Sequence, residues 1–169
     1  MNSFFAHARR AVCVAVSFCI LASVSFAGQS SKHGPDSPDQ KELLAYNLSM
    51  EKIQRLADTY KEMQAYQQKH PETAKDDQGG GKDINDQVAK LEAKDPEAVA
   101  IMRKHGFTTR EFIVAMFTLV QATMIVGSKR DGHPIDPAKA NELVNPANQE
   151  LVDKNWDAIQ KINESMDGH

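Results

Sequence analysis

The stretch FTTREFIVAMFTLVQATMIVG, residues 107–127, decides the fold. It is the most apolar part of the chain beyond the N-terminus, and both of its ends carry helix punctuation. Thr108 followed three residues later by Glu111 is a capping box, in which each side chain is placed to take a backbone N–H that the first helical turn leaves unpaired. Phe107 and Phe112 fall at the N′ and N4 positions, where they can staple the start of the helix. Gly127 suits the left-handed position just past a helix end. The spacing therefore predicts a helix over 109–126.

Within it Phe112, Ile113, Met116, Phe117, Val120, Met124 and their neighbours point in nearly every direction, so most of the circumference has to be covered. Only Glu111, Ala115, Thr118 and Ala122, spaced four, three and four, form a small, mildly polar face. Its C-terminal half is expected to let another backbone come close. Burying a large apolar side chain contributes ~1.5–3 kcal/mol, while ordering the backbone costs about 1–2 kcal/mol per residue. Such a helix cannot stand alone, so the rest of the chain is expected to wrap it, with Phe117 fully buried near its middle.

The same grammar recurs on either side. Leu48 at N′, Ser49 as N-cap and Ile53 at N4 form a second staple. The spacing of Met50, Ile53, Leu56, Tyr60 and Met63 then predicts an amphipathic helix that Pro71 ends near His70. A short helical piece over 39–46 precedes it, and short helices over 83–93 and 96–105 follow, the second opened by Asp95-Pro96 and closed by Gly106. Asp136-Pro137 opens a turn or two. Asn145-Pro146 opens a last long helix over 146–165, with Leu151, Val152, Trp156, Ile159 and Ile162 on one face. No strand signal of any length is present. The expected architecture is all-α: a single-domain bundle over 39–169 of about five helices around the central apolar helix near 109–126.

Residues 1–27 read as an export signal. Arg9 and Arg10 precede an apolar run, and Ser25 and Ala27 supply the small residues of a cleavage site before Gly28. The run is too short to span a bilayer comfortably. Residues 28–38, GQSSKHGPDSP, form a disordered leader, and 71–82, PETAKDDQGGGK, a flexible linker. Asp76, Asp77 and the glycines invite a calcium-loop reading, but the ligand positions fall on Gln78 and Gly80 with no Glu at the twelfth, and Gly81-Lys82 lacks the earlier glycine of a phosphate loop.

Cleavage after Ala27 would remove Cys13 and Cys19, the only 2 cysteines, leaving no disulfide, thiol nucleophile or thiolate metal site. It also removes two of the 20 basic residues and none of the 23 acidic ones, so the net charge moves from −3 to −5. A mildly acidic chain without a clustered basic face argues against nucleic acid as a partner. His33, His70, His105, His133 and His169 have no partner at helical metal spacing. His70 and His105 close helices, where the backbone dipole favours a cation. Glu111, the carboxylate committed to the most apolar helix, is accounted for by its cap. The methionines serve as core filler rather than as ligands of a non-covalent haem. Neither a cofactor nor a catalytic constellation is expected.

The run Tyr46-Asn47-Leu48-Ser49-Met50-Glu51-Lys52-Ile53, the run Gly106-Phe107-Thr108-Thr109-Arg110-Glu111-Phe112, and Asn145-Pro146-Ala147-Asn148 together resemble a group of small exported, all-helical bacterial proteins of unassigned function. The resemblance implies bacterial export and no particular activity. Leu48-Ser49 opening a charged helix is also similar to periplasmic chaperones of the LTxxQ type, with Ser49 in place of Thr and Lys52 near the Gln. The expectation is thus a periplasmic or secreted, non-enzymatic protein without a transmembrane span in its mature form. It would bind a protein or envelope partner; the alternatives are a carrier of a small apolar ligand and a chaperone-like protein.

Overall fold

The computed structural model describes residues 37–70 and 81–166, and among these residues the chain is all-helical, with eight helices and no strand. The expected export signal with its Ala27–Gly28 junction, the expected leader up to residue 36 and residues 71–80 of the expected linker lie outside the described residues. The helices are α1 (Pro38–Ala45), α2 (Met50–Lys69), α3 (Ile84–Lys94), α4 (Pro96–Lys104), α5 (Thr109–Arg130), α6 (Pro137–Leu143), α7 (Pro146–Lys154) and α8 (Trp156–Met166).

Seven of the eight starts are written in the sequence. Ser37, Ser49, Asp83, Asp95, Thr108, Asp136 and Asn145 all accept a backbone N–H of the first turn of the helix they open. Pro38, Pro96, Pro137 and Pro146 stand where a helix needs no donor. Gly106, at φ 79°, ends α4 in the left-handed conformation, so that Phe107 N donates to Met102 O at 2.9 Å.

α5 packs against α1, α2, α3, α4 and α7. Its small face is the most deeply covered: Ala115, Thr118 and Ala122 are all at 0% exposure. Around it lie Leu56, Met102, Phe112, Leu119, Val152 and Ile159, parts of one continuous core. A second cluster joins Leu43, Ile84, Ile113 and Val114 at the N-terminal half of α5.

Four expectations are corrected. The helix count of about five becomes eight, because the short pieces are helices in their own right and because the last one is two. The chain turns at Asn155, whose side-chain amide donates to Leu151 O at 2.8 Å and competes with the helical ladder, dividing 146–165 into α7 and α8. Gly127 does not close α5. The helix runs on to Arg130 and closes at Gly132, φ 81°, with Gly132 N on Lys129 O and His133 N on Ser128 O, the paired bonds of a Schellman motif. Gly127 instead admits Trp156: a Cβ there would sit 3.1 Å from the indole ring. Phe117, finally, is only half-buried, packed on the second cluster rather than enclosed.

Candidate functional site

The stretches 46–53, 106–112 and 145–148 meet at one end of the bundle. Residues 46–49 connect α1 to α2 without forming a helix, and their backbone groups need partners. The start of α7 supplies them. Asn145 Nδ2 donates to Leu44 O and Tyr46 O, each at 2.9 Å. Asn148, 1% exposed, accepts from Leu48 N at 2.9 Å and donates to Tyr46 O at 2.7 Å. Asn145 also caps its own helix through Asn148 N, so two amides serve two segments.

The third stretch enters through the Tyr46 phenol, which donates to Glu111 Oε1 at 3.2 Å. Only half of the capping box is therefore made: Thr108 Oγ1 accepts from Glu111 N at 3.0 Å, but the Glu111 carboxylate turns to Tyr46. Burial, and then the adjacent carboxylate, push the phenol well above its ordinary range, so its proton stays in place. Lys52 Nζ lies 4.3 Å from the Tyr46 ring centroid, and the Arg55 guanidinium 5.0 Å from that of Phe107. Phe107 and Phe112 meet edge to face with centroids 6.0 Å apart. Leu48 and Ile53 are both buried in the main core. These groups are joined to one another, and their geometry is that of a clasp between segments.

Similar ties hold the other elements. Asp39, buried on α1, accepts from Ile84 N at 3.0 Å and so covers a donor at the start of α3. Arg110 grips Glu42 through two nitrogens and also donates to Asn85, joining α5 to α1 and α3. Glu62 on α2 accepts from Lys104 Nζ at 2.7 Å and faces His105 Nε2 at 2.9 Å. Its carboxyl is held below the usual range by Lys104 first and His105 second. At the far end of α5, Lys129 and Arg130 both bind Asp153, and the Arg130 guanidinium lies 5.3 Å from the Trp156 ring centroid.

Sequence spacing could not have found the amide clasp, whose partners are 99 to 102 residues apart. The one local hint is Asn148 itself, a polar residue at the third position of a helix already capped by Asn145.

Two shallow depressions flank Asp153. One, of about 260 Å³, is lined by Ile125, Val126, Lys129, Gln149, Glu150 and Asp153. The other, of about 180 Å³, lies beside Arg130 and Trp156. Both fall below the ~300–1,000 Å³ usual for a small-molecule site. Among the described residues no three His, Cys, Asp or Glu side chains gather as a metal site would require.

One apolar row is left open. On α5, Phe117 and Val120 are half-buried and Met124 is 63% exposed, spaced three and four on the face opposite Ala115, Thr118 and Ala122. By length and composition alone α5 could cross a bilayer, with mean hydropathy 1.6, but 56% of that apolar window is buried against the other helices. Compared with family models, curated proteins and solved structures, the chain matches none.

Proposed function

We propose that this chain is an exported, non-catalytic helical module that binds a partner protein through the open row of α5. The observation that carries the reading is Met124, 63% exposed in the C-terminal half of an apolar helix whose opposite residues Ala115, Thr118 and Ala122 have no exposure at all. Met124 continues the half-buried Phe117 and Val120 into one contiguous apolar surface, and contiguity of this kind marks interaction surfaces. In this reading α5 is the helix that the others wrap, and it keeps one face for the partner.

The chemistry of the row favours a helix of another protein over lipid. Phe117, Val120 and Met124 span ~10 Å at 1.5 Å per residue, a ridge that fits the groove of one crossing helix. A surface that lies on a membrane adds free basic side chains to its apolar face. Here the cations at the end of α5 are bound to Asp153.

The test is native mass spectrometry and an absorption spectrum of the protein isolated from its own host, for the parent and for Val120→Glu/Met124→Glu. The expected result is a complex of fixed stoichiometry with one protein, lost in the double variant at an unchanged melting temperature. A complex that survives both glutamates refutes the assigned surface. A bound small molecule or visible chromophore instead refutes the reading in favour of a ligand carrier, and flotation with liposomes refutes it in favour of an envelope-binding surface.

A further inference from the structure

The sulfur chemistry of the chain is sharply graded. The two cysteines, Cys13 and Cys19, precede the described residues, so every described sulfur is a thioether. Met102 is 0% exposed, Met116 5% and Met166 6%, while Met50 and Met63 pack against the main core. Met124 alone among the described methionines is exposed, at 63%. Thioether oxidation follows access of the oxidant to sulfur, and its product is a polar, chiral sulfoxide that a reductase can reverse.

We infer that Met124 is an oxidation site at which a peroxide switches the polarity of the open α5 row without unfolding the protein. The Met124 Sδ attacks one peroxide oxygen; the O–O bond breaks, an S–O bond forms, and the other oxygen leaves as water once protonated. The sulfur loses two electrons and the peroxide gains them, so hydrogen peroxide is the only co-reactant. The same conversion at Met102 would place an S–O dipole in a closed apolar core and break packing. At Met124 the new oxygen reaches water, and the helix keeps its ladder. What changes is the row: its most exposed apolar group becomes polar, one turn beyond Val120 and two beyond Phe117. This chemistry depends on exposure and stands whether or not the row binds a partner.

The experiment treats the folded parent and Met124→Leu with dilute hydrogen peroxide, maps sulfoxides by peptide mass, and follows circular dichroism and retention on a hydrophobic-interaction column. In the parent, Met124 should gain oxygen about tenfold or more faster than Met102, Met116 or Met166, as access to the sulfur dictates. Retention should then fall at constant helicity and recover on treatment with methionine sulfoxide reductase. Met124→Leu should fold as the parent does and show no early retention change. Oxidation of Met50 or Met63 ahead of Met124 overturns the assignment. A retention change that appears only with loss of helicity, or that persists in Met124→Leu, overturns the switch.

Discussion

Asn148 is an amide enclosed in an apolar core, and it is there because it is the partner of the Leu48 N–H of another segment and a second donor, beside Asn145, to Tyr46 C=O. Removing one side of a buried hydrogen bond leaves the other desolvated and unpaired, which costs ~1–3 kcal/mol. Asn148→Ala is therefore expected to lower stability by about 2 kcal/mol, more than Thr108→Ala, where the exposed cap is worth ~1 kcal/mol and water can replace it. Denaturant midpoints of both variants check the order, and hydrogen exchange at the Leu48 amide should quicken in Asn148→Ala only. The residues named from spacing as caps, Ser49 and Thr108, take the donors that position assigns them. Glu111 departs from its expected role because Tyr46, from a distant part of the chain, offers a hydroxyl donor.

At the scale of the helix, α5 shows why hydrophobicity and burial are different quantities. Phe117 and Met102 are both large apolar residues, yet the first is half-buried and the second has no exposure. Truncating a fully buried large side chain costs ~2–5 kcal/mol, including the cavity left behind. Met102→Ala is expected to fall in that range and Phe117→Ala at about half of it, since part of the ring is already in water and the gap stays open to solvent. Urea denaturation of the two variants beside the parent tests this; equal large losses would mean that the face of α5 bearing Phe117 is closed. The tie between α2 and α4 carries a pH signature. Glu62 titrates below its ordinary 4.5 because Lys104, and then His105, favour its charged form. A carboxyl depressed in the folded state contributes stability that is present above 4.5 and lost as pH falls through the lower folded value. Glu62→Gln should therefore melt lower than the parent at neutral pH, and the two curves should converge in acid. The difference will be small because the pair is solvent-screened.

For the molecule as a whole, reading residues 1–27 as an export signal makes a prediction that is independent of the fold. The protein recovered from outside the cytoplasm should have the intact mass of a chain beginning at Gly28, and a species that keeps residues 1–27 would contradict the cleavage site. The sequence by itself determined the all-helical class and nearly every helix start, because caps, prolines and the 3.6-residue period act over a few residues. It marked the end of α4 at Gly106 for the same reason, since a left-handed closing position is a local demand. What only the tertiary structure decided was which apolar side chains are covered and what the polar ones bind. Gly127 is compatible with a helix end and with a close contact alike, and Trp156 settled it as a contact. The division of 146–165 at Asn155 depends on one side chain choosing a carbonyl over solvent. The face of α5 left open could not be read from its own residues, since Phe117, Val120 and Met124 are no less apolar than those buried opposite. Exposure is set by where the neighbouring helices pass, and the contacts that steer them join residues about a hundred positions apart, beyond the reach of any local spacing.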